Sequence, residues 1–512
     1  MTRTLKTSRK ADTRWKNFAR LQSSAAGLAA VFVALCFSGC TVGPNYKRPS
    51  VEVPTAFKEP PPQGWKEAAP HDEIAKGNWW EAFGDPQLND LETQALAASP
   101  TLQAAVARVT QARANVRITR AALFPTVNVA PSVARERESA VGSDAPNTIN
   151  RPFTNNVITL PLDVSYEVDL WGRVRRSVES SRAQAQASQA DYENILLTLK
   201  SDVAQNYFSL RYVDIDRGIL SNNIELLKKA LDLTEARHSG GVASGLDVSE
   251  AETLLATTQA TYIGFGVQRA QFEHALAVLV GKPAAEFSVP EKKSALEPPA
   301  IPPGLPSDLL ERRPDVAEAE RQMASANAQI GVARAAFFPA LNLTGGAGYL
   351  SDDLVKLFNV SSTIWSIAAN ASQPLYAGGA ISANYVRARA AYDESAANYR
   401  QQVLVAFKEV EDGLSGLRIL EEQEAAQNKA VDSSRKTLTI STSRYKEGLA
   451  NFLEVIDAQR DVLQNEQESA QLRELRLLTT VQFIQALGGG WQESKIYSDS
   501  QAPATGSSQP TH

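Results

Sequence analysis

Cysteine, histidine and methionine are all scarce in this chain of 512 residues. It contains two cysteines, four histidines and two methionines, and both cysteines fall within the first 40 residues. No disulfide framework can form from them, and no cluster with metal-ligand spacing is present. The sequence also lacks a phosphate-binding glycine loop ending in Lys-Ser or Lys-Thr, a nucleophile elbow and paired histidines on a helix. These absences predict a protein that is not an enzyme and has no metal or cofactor-binding site.

A helical membrane span is lacking at the N-terminus, although an apolar run is present there. Ala25–Phe37 has 13 residues and follows a basic segment, which is typical of a signal peptide rather than of a membrane span. Ser38 and Gly39 then precede Cys40, as at a bacterial lipoprotein cleavage site. We therefore predict a signal peptide over residues 1–39 and a covalent lipid on Cys40. Ordinary signal cleavage beside an incidental cysteine is the alternative.

An excess of positive charge is lacking once the signal segment is set aside. Residues 1–39 hold seven Lys and Arg and one acid, so the remaining residues carry 45 basic and 56 acidic side chains. This balance argues against a nucleic-acid partner.

The segment 40–85 is rich in proline, which disfavours regular helices and central strands and predicts an extended path. Near its end Trp79, Trp80 and Phe83 are interpreted as core anchors rather than as ligand-binding aromatics. A helix is expected to begin near Pro86.

Two stretches of the chain are similar and predict an internal repeat. One begins at Pro100 and the other at Pro314, and in each a proline opens a helical pattern of small apolar residues. Both stretches end in an aromatic residue and a proline, after which the hydrophobic period becomes two. Four residue pairs match at an offset of 214, and they are Arg120 and Arg334, Phe124 and Phe338, Pro125 and Pro339, Asn128 and Asn342. We therefore predict that a helix runs directly into a strand at each of these junctions.

Four strands in two hairpins are predicted from alternation. The segments are Val127–Val133, 155–170, Leu341–Tyr349 and Ile364–Tyr376, and one side of each is largely apolar. Such strands suit the edge of a soluble sandwich or a membrane β-barrel. Four strands cannot close a barrel alone, so the barrel interpretation requires an oligomer.

Each second strand is followed by a glycine turn and then by a very long helical pattern without proline. Both long helices are expected to end in a hairpin, near Gly241 and near Gly448, where glycine allows a left-handed backbone. An offset of 207 aligns the two hairpins, pairing Leu246 with Leu453. The predicted division is a first repeat over 86–297, a linker over 298–313, a second repeat over 314–490 and a disordered tail over 491–512.

With the repeat, strands and hairpins placed, the chain resembles the TolC-like outer-membrane factors in their lipoprotein branch, the OprM and NodT group. The resemblance covers nearly everything from Cys40 to Gly490. The matching segments are GCTVGPNYKRP from Gly39, WWEAFGDPQL from Trp79, DLWGRVRR from Asp169, LERRPDVAEAE from Leu310, ANAQIGVARAAFFPALNLTG from Ala326, PLYAGG from Pro374 and RYKEGLANFLEVIDAQRDVL from Arg444.

This resemblance implies a mixed, mainly helical fold and a homotrimer. A twelve-stranded outer-membrane β-barrel would be continued by a twelve-helix periplasmic α-barrel with an equatorial domain. It also implies a passive exit duct that is docked on an inner-membrane pump through a periplasmic adaptor. The junction residues Phe124, Pro125, Phe338 and Pro339 would then mark where the helical tube becomes the barrel.

The resemblance also assigns roles at the helical hairpins. Leu453 and Asp457 lie one turn apart and resemble the rings that narrow the periplasmic aperture, while the repeat makes Glu250 a second, weaker candidate. On the sequence alone, the favoured interpretation of Asp457 is a solvated carboxylate on an amphipathic helix, and it is the resemblance that favours the gate. The hairpin tips are the candidate adaptor contacts, with Gly240, Gly241, Gly245, Gly448 and Asn451 as their marker residues.

Three functional interpretations remain from the sequence. The preferred one is an outer-membrane channel for efflux of small molecules such as drugs. The first alternative is an outer-membrane channel for protein secretion of type I. The second is a lipid-anchored coiled-coil adaptor that does not span the membrane, which the duplicated strands disfavour. The substrates and the pump class are not determined by the sequence.

Overall fold

A computed structural model of the chain describes residues 41–50, 54–60, 78–138, 153–292, 297–299 and 313–489. The predicted signal peptide, Cys40 and the predicted disordered tail lie outside these ranges. Within them, none of the helices unites the length and the apolarity that crossing a lipid bilayer requires.

The described residues form two compact units. The first contains residues 41–48, 112–138, 153–185 and 322–396, and the second contains the other described residues. Each unit contains residues from both predicted repeats. The two compact units are therefore not the two repeats. The boundaries of the repeats stay predictions.

Long helices account for most of the described chain, and their lengths repeat. They are α1 (Pro86–Ala98), α2 (Pro100–Ala121), α3 (Arg173–Ser239), α4 (Gly245–Leu279), α5 (Pro314–Ala335), α6 (Ala380–Lys446) and α7 (Phe452–Ala486). Helices α2 and α5 both have 22 residues, α3 and α6 both have 67, and α4 and α7 both have 35. These matched lengths confirm the internal duplication. Short 3-10 turns occur at Trp79–Phe83, Ala284–Glu286, Leu354–Lys356 and Val360–Ser362.

The positions at which the first helices begin follow from local chemistry. Pro100 and Pro314 are the first residues of α2 and α5, where the missing N–H of proline would have had no helical partner. Ahead of α1, the side chain of Asp85 accepts a hydrogen bond from the N–H of Gln87 at 2.9 Å. This N-cap satisfies one of the free donors of the first turn.

One antiparallel sheet lies in the first unit. Its strands are β1 (Thr126–Val129), β2 (Ser132–Glu138), β3 (Phe153–Val168), β4 (Ala340–Ser351) and β5 (Thr363–Ser372). The order is β1-β3-β4-β5, and β2 pairs with β3 as well. Thus β1 and β2 share one edge of the sheet and β5 forms the other.

Two of the predicted strands need correction. The prediction of one strand over Val127–Val133 is wrong, because β1 and β2 are separated at Ala130 and Pro131, where proline offers no N–H to the ladder. The described sheet therefore has five strands rather than four. The last strand ends at Ser372 and not at Tyr376, since Pro374 cannot continue the pairing.

The register divides the sheet into an apolar and a polar face. Residues directly opposite each other on neighbouring strands share a face. Leu162 lies opposite both Val129 and Ala347, and Ala347 lies opposite Trp365. On the other face Asp163 lies opposite Gly346, which lies opposite Ser366. The alternation predicted for the strands is therefore continuous across the sheet.

The junction between helix and strand contains a short turn. Residues 336–339 separate α5 from β4, so the prediction of a helix running directly into a strand is wrong by these four residues. Within the turn Phe338 stacks on Trp171 with a centroid distance of 4.6 Å, and the Trp171 indole N–H donates to the carbonyl of Pro339 at 2.9 Å. These contacts hold the turn in place.

The second unit has the larger core, and the aromatic residues before α1 belong to it. Trp79, Trp80 and Phe83 are buried, and the ring of Phe83 lies 4.8 Å from that of Phe208. The hydroxyl of Tyr207 donates to the buried carboxylate of Asp85 at 2.7 Å. The interpretation of the three aromatics as core anchors is confirmed.

Glu92 is a charged residue type placed in this apolar core. It is fully buried on the face of α1 that also buries Leu88, Leu91 and Ala95. Neither carboxyl oxygen has a hydrogen-bond partner among the described residues. Burial raises the pKa of Glu92 to about 9, against the opposing charge of Lys200. The carboxyl group is therefore protonated at neutral pH.

Replacing Glu92 with glutamine is expected to flatten the pH dependence of folding stability. The raised pKa makes the folded chain bind one more proton than the unfolded chain between the ordinary value of 4.5 and about 9. Stability therefore falls as the pH rises through this window, by up to about 1.4 kcal/mol per pH unit. Glutamine stays neutral, so the folding stability of the variant should exceed that of the wild type most at the alkaline end of this window.

The measurement is the melting temperature of the helical signal in circular dichroism across this pH window. Glu252→Gln is the matched control, because Glu252 is exposed on α4 and its loss should leave the pH profile unchanged. A Glu92→Gln profile that parallels the wild type would contradict the presence of a neutral carboxyl group in the core.

Candidate functional site

The chain directly after Cys40 is held by close contacts in the first unit. The N–H of Val42 donates to the carbonyl of Trp171 at 3.0 Å. Gly43 has a φ of 103°, and a Cβ placed on it would lie 2.6 Å from the Cα of Gly331. Only glycine fits this approach of two backbones. Cys40 itself lies outside the described residues, so its lipidation remains a prediction.

The first hairpin loop, residues 240–244, joins α3 to α4. Gly241 has a φ of 71°, as predicted for a left-handed helix end, and the N–H of Val242 donates to the carbonyl of Arg237 at 2.9 Å. Ser244 and Asp247 form a capping box, in which each side chain accepts from the other's backbone N–H. Gly240 and Gly245 are both exposed, and Gly245 is the first residue of α4.

The second hairpin loop, residues 447–451, joins α6 to α7 in the same way. Gly448 has a φ of 75°, and the N–H of Leu449 donates to the carbonyl of Arg444 at 2.8 Å. The side chain of Asn451 accepts from the N–H of Glu454 at 3.1 Å and begins α7. Both loops thus use a left-handed glycine to end one helix and a polar side chain to begin the next.

The two hairpins are joined near their loops. The guanidinium of Arg237, at the end of α3, lies 4.6 Å from the ring centre of Tyr445 and donates to its carbonyl at 3.2 Å. A cation at the end of α6 is favourable, because the last carbonyls of a helix carry partial negative charge. Below this contact all four helices contribute to a buried cluster of Leu227, Ala251, Leu254, Tyr445, Phe452, Val455 and Ile456.

The predicted gate residues lie on the opposite side of α7 from this cluster. Leu453 is 47% exposed and Asp457 is also exposed, whereas Val455 and Ile456 between them are buried. Helical spacing places Leu453 and Asp457 on one face, one turn apart. Glu250 is half-buried on α4. The role of these three residues as a gate stays a prediction.

Exposed aliphatic side chains at the loops were not singled out from the sequence. Val242 is 68% exposed, and Leu246 and Leu449 are each 66% exposed. At the offset of 207, Val242 aligns with Leu449 and Leu246 aligns with Leu453. The alignment of the two repeats could therefore have identified these exposed aliphatic residues from the sequence. Each hairpin presents one aliphatic residue in its loop and one in the first turn of the next helix.

The described chain thus combines duplicated helical hairpins that have matched exposed aliphatic residues with a sheet that has one apolar face. The model of the outer membrane efflux protein family matches residues 91–282 and 305–489. The chain therefore belongs to the outer membrane efflux protein family, and the resemblance inferred from the sequence is confirmed.

Relatives and solved structures agree with this assignment. The chain is 32% identical over 477 residues to a probable efflux pump outer membrane protein, TtgC, of Pseudomonas putida, with 93% of this chain and 98% of the relative covered. It is 31% identical over 465 residues to the cation efflux system protein CusC of Escherichia coli, covering 90% of this chain and 98% of the relative. The outer-membrane channel OprN has the same fold, with a TM-score of 0.80 and 31% identity, covering 88% of this chain and all of that one.

Proposed function

We propose that the protein is the passive exit duct of a tripartite efflux system, through which small molecules leave the cell from an inner-membrane pump by way of a periplasmic adaptor. The observation that carries this proposal is the duplicated helical hairpin with its matched apolar loops, in a chain of the outer membrane efflux protein family. TtgC is described as an efflux pump component and CusC as part of a cation efflux system. A passive duct needs no binding site for its cargo, so the cargo is set by the pump.

Three copies of the chain would close the sheet. In one chain β1 and β2 lie on one edge and β5 on the other, and open edges within a lipid bilayer leave backbone groups unpaired. Joining β5 of one copy to the β1–β2 edge of the next satisfies those groups. The apolar face would then contact lipid and the polar face would line the passage.

The helical hairpins supply the periplasmic functions in this proposal. Leu453 and Asp457 from three copies would form two rings that narrow the passage, and three carboxylates near one axis repel each other. The closed state is thereby sensitive to salt. The hairpin loops would receive the adaptor through Val242, Leu449 and their neighbours.

The N-terminal lipid would give the chain a second attachment to the membrane. Thr41 contacts Gly172 so closely that a Cβ on that glycine would lie 2.5 Å from the Thr41 side chain. The acylated Cys40 would thus be carried next to the end of β3, which is where an acyl chain could enter the bilayer. An acyl chain alone binds membranes weakly and serves as an additional anchor.

The test is to purify the protein from outer membranes and to measure its oligomeric state and its conductance. A trimer that resists detergent at room temperature and dissociates on heating is expected on gels, together with discrete conductance steps in planar bilayers. Cys40→Ser should retain the steps, because the sheet and not the lipid forms the passage. A monomer without channel activity would support the alternative of a lipid-anchored adaptor that does not span the membrane.

A further inference from the structure

The apolar face of the sheet ends in two arginines on β2. The chain there is Ala-Arg-Glu-Arg-Glu, and Val133, Arg135 and Arg137 occupy alternate positions. Val133 lies opposite Ile158, Arg135 opposite Asn156 and Arg137 opposite Thr154. Since opposite residues share a face, both arginines continue the apolar face that contains Ile158 and Leu160.

Charges of opposite sign are separated between the two faces. Along the strands that the structure describes, the apolar face has Arg135 and Arg137 as its charged residues and no carboxylate. Glu136, Asp163 and Glu167 occupy positions on the polar face. Because successive side chains of a strand point to opposite faces, the alternating Arg-Glu sequence places its arginines on the apolar face and Glu136 on the polar face.

The arginines lie at the border of the apolar band. From Val168 to Ile158 the band covers eleven residues of β3. The ten steps between them are about 33 Å of strand and, with the usual tilt of barrel strands, about 25 Å of membrane thickness. Arg135 takes the first position on β2 beyond this band. It is therefore at the level of lipid headgroups rather than of acyl chains.

The end of the sheet identifies the leaflet. Strand β1 begins after α2, β3 leads into α3, β4 begins after α5, and β5 leads into α6. All four helix connections are at the end of the sheet that contains Val168 and Ala340, and the two arginines are at the other end. In the proposed function, on which this step rests, the helices are periplasmic, so the arginines face the outer leaflet.

The chemistry of the pair favours a phosphate ligand. Arg135 and Arg137 are exposed, and among the described residues neither has an ion-pair partner. Their Cα atoms are about 7 Å apart on one side of a strand. A guanidinium binds phosphate oxygens through two parallel hydrogen bonds. We propose that Arg135 and Arg137 form a binding site for the phosphate groups of the outer-leaflet glycolipid, lipopolysaccharide.

The test measures binding of rough lipopolysaccharide, with short sugar chains, to the purified trimer in neutral detergent. Wild-type protein should bind it, and binding should weaken as salt is raised. The double variant Arg135→Gln, Arg137→Gln should lose affinity on the order of tenfold or more, and the double lysine variant should keep part of it. The same glycolipid after enzymatic dephosphorylation should bind the wild type as weakly as the double glutamine variant does.

Matched controls separate this site from general charge and from channel function. Arg117→Gln with Arg120→Gln removes two exposed positive charges from α2, and Glu136→Gln alters the same strand on its other face; both should bind as wild type. Unchanged affinity in the Arg135 and Arg137 glutamine variant would overturn the proposal, and so would equal binding of phosphatidylglycerol. Conductance of that variant in planar bilayers should equal wild type, so a failure of the exit-duct proposal would be detected separately.

Discussion

Single-channel conductance rises in a variant that carries Leu453→Ala and Asp457→Ala, if these residues close the passage as proposed. Both side chains are exposed on one face of α7, and their neighbours Val455 and Ile456 are buried in the cluster that holds the helix ends together. The substitutions therefore remove the constriction without removing the packing. The rise should come from Leu453, because removing Asp457 takes away a repulsion that opposes closure. Since about 1.4 kcal/mol is a factor of ten in an equilibrium, losing the apolar contact of one leucine favours the open state by roughly tenfold for each chain of the trimer.

The measurement is the conductance of the purified trimer in planar bilayers at several salt concentrations. In wild type, high salt should favour the closed state, because it screens the repulsion among the Asp457 carboxylates. This dependence should disappear in Asp457→Ala alone. The repeat supplies the matched control, with Leu246→Ala and Glu250→Ala at the equivalent positions of α4.

Two outcomes decide the assignment. Conductance equal to wild type in the Leu453 and Asp457 variant would contradict the assignment of these residues to the gate. A rise of similar size in the Leu246 and Glu250 variant would mean that both hairpins narrow the passage, and it would promote Glu250 from a weak candidate to a gate residue. Because Glu250 is half-buried on α4, we expect the first hairpin to narrow the passage less than the second.

Most of the architecture could be predicted because matching residues of the two repeats recur at fixed offsets, 214 at the junctions and 207 at the hairpins. Pro100 and Pro314 start equal helices, and Gly241 and Gly448 end equal helices, because proline and glycine act through their own backbone restrictions. Such signals are local and need no knowledge of what the helix later packs against. The hairpin tips were found from them.

The features that the sequence did not predict depend on partners distant in the chain. Arg237 lies on the ring of Tyr445, although 208 residues separate them, and no periodicity marks such a contact. The break between β1 and β2 is a different case. Pro131 was visible, but its alternation with Val129 and Val133 hid the interruption. The burial of Glu92 was missed because a carboxylate on a helix is ordinarily assumed to face water.

Efflux in cells should be lost when Val242 and Leu449 are replaced by aspartate, while the purified protein keeps its conductance. Both residues sit in loops whose backbone is fixed by a left-handed glycine and a cap, so a change of side chain should not unfold them. Each is 66–68% exposed, and aliphatic groups left in water on both hairpins are suited to bury against a partner. A charge at that point would have to be desolvated on docking, which costs several kcal/mol.

The measurement is drug or toxicant susceptibility of cells that depend on this channel, together with cross-linking from the hairpin loops. Val355→Asp is the control, since Val355 is an aliphatic residue in the β4–β5 connection that is exposed even more, at 89%. Susceptibility should rise strongly in the loop variant and stay at wild type in the control. Full efflux in the loop variant, or capture of an adaptor only at positions far from both loops, would move the docking surface elsewhere. Loss of efflux with normal conductance would separate docking from conduction, and it would assign the first to residues 240–244 and 447–451.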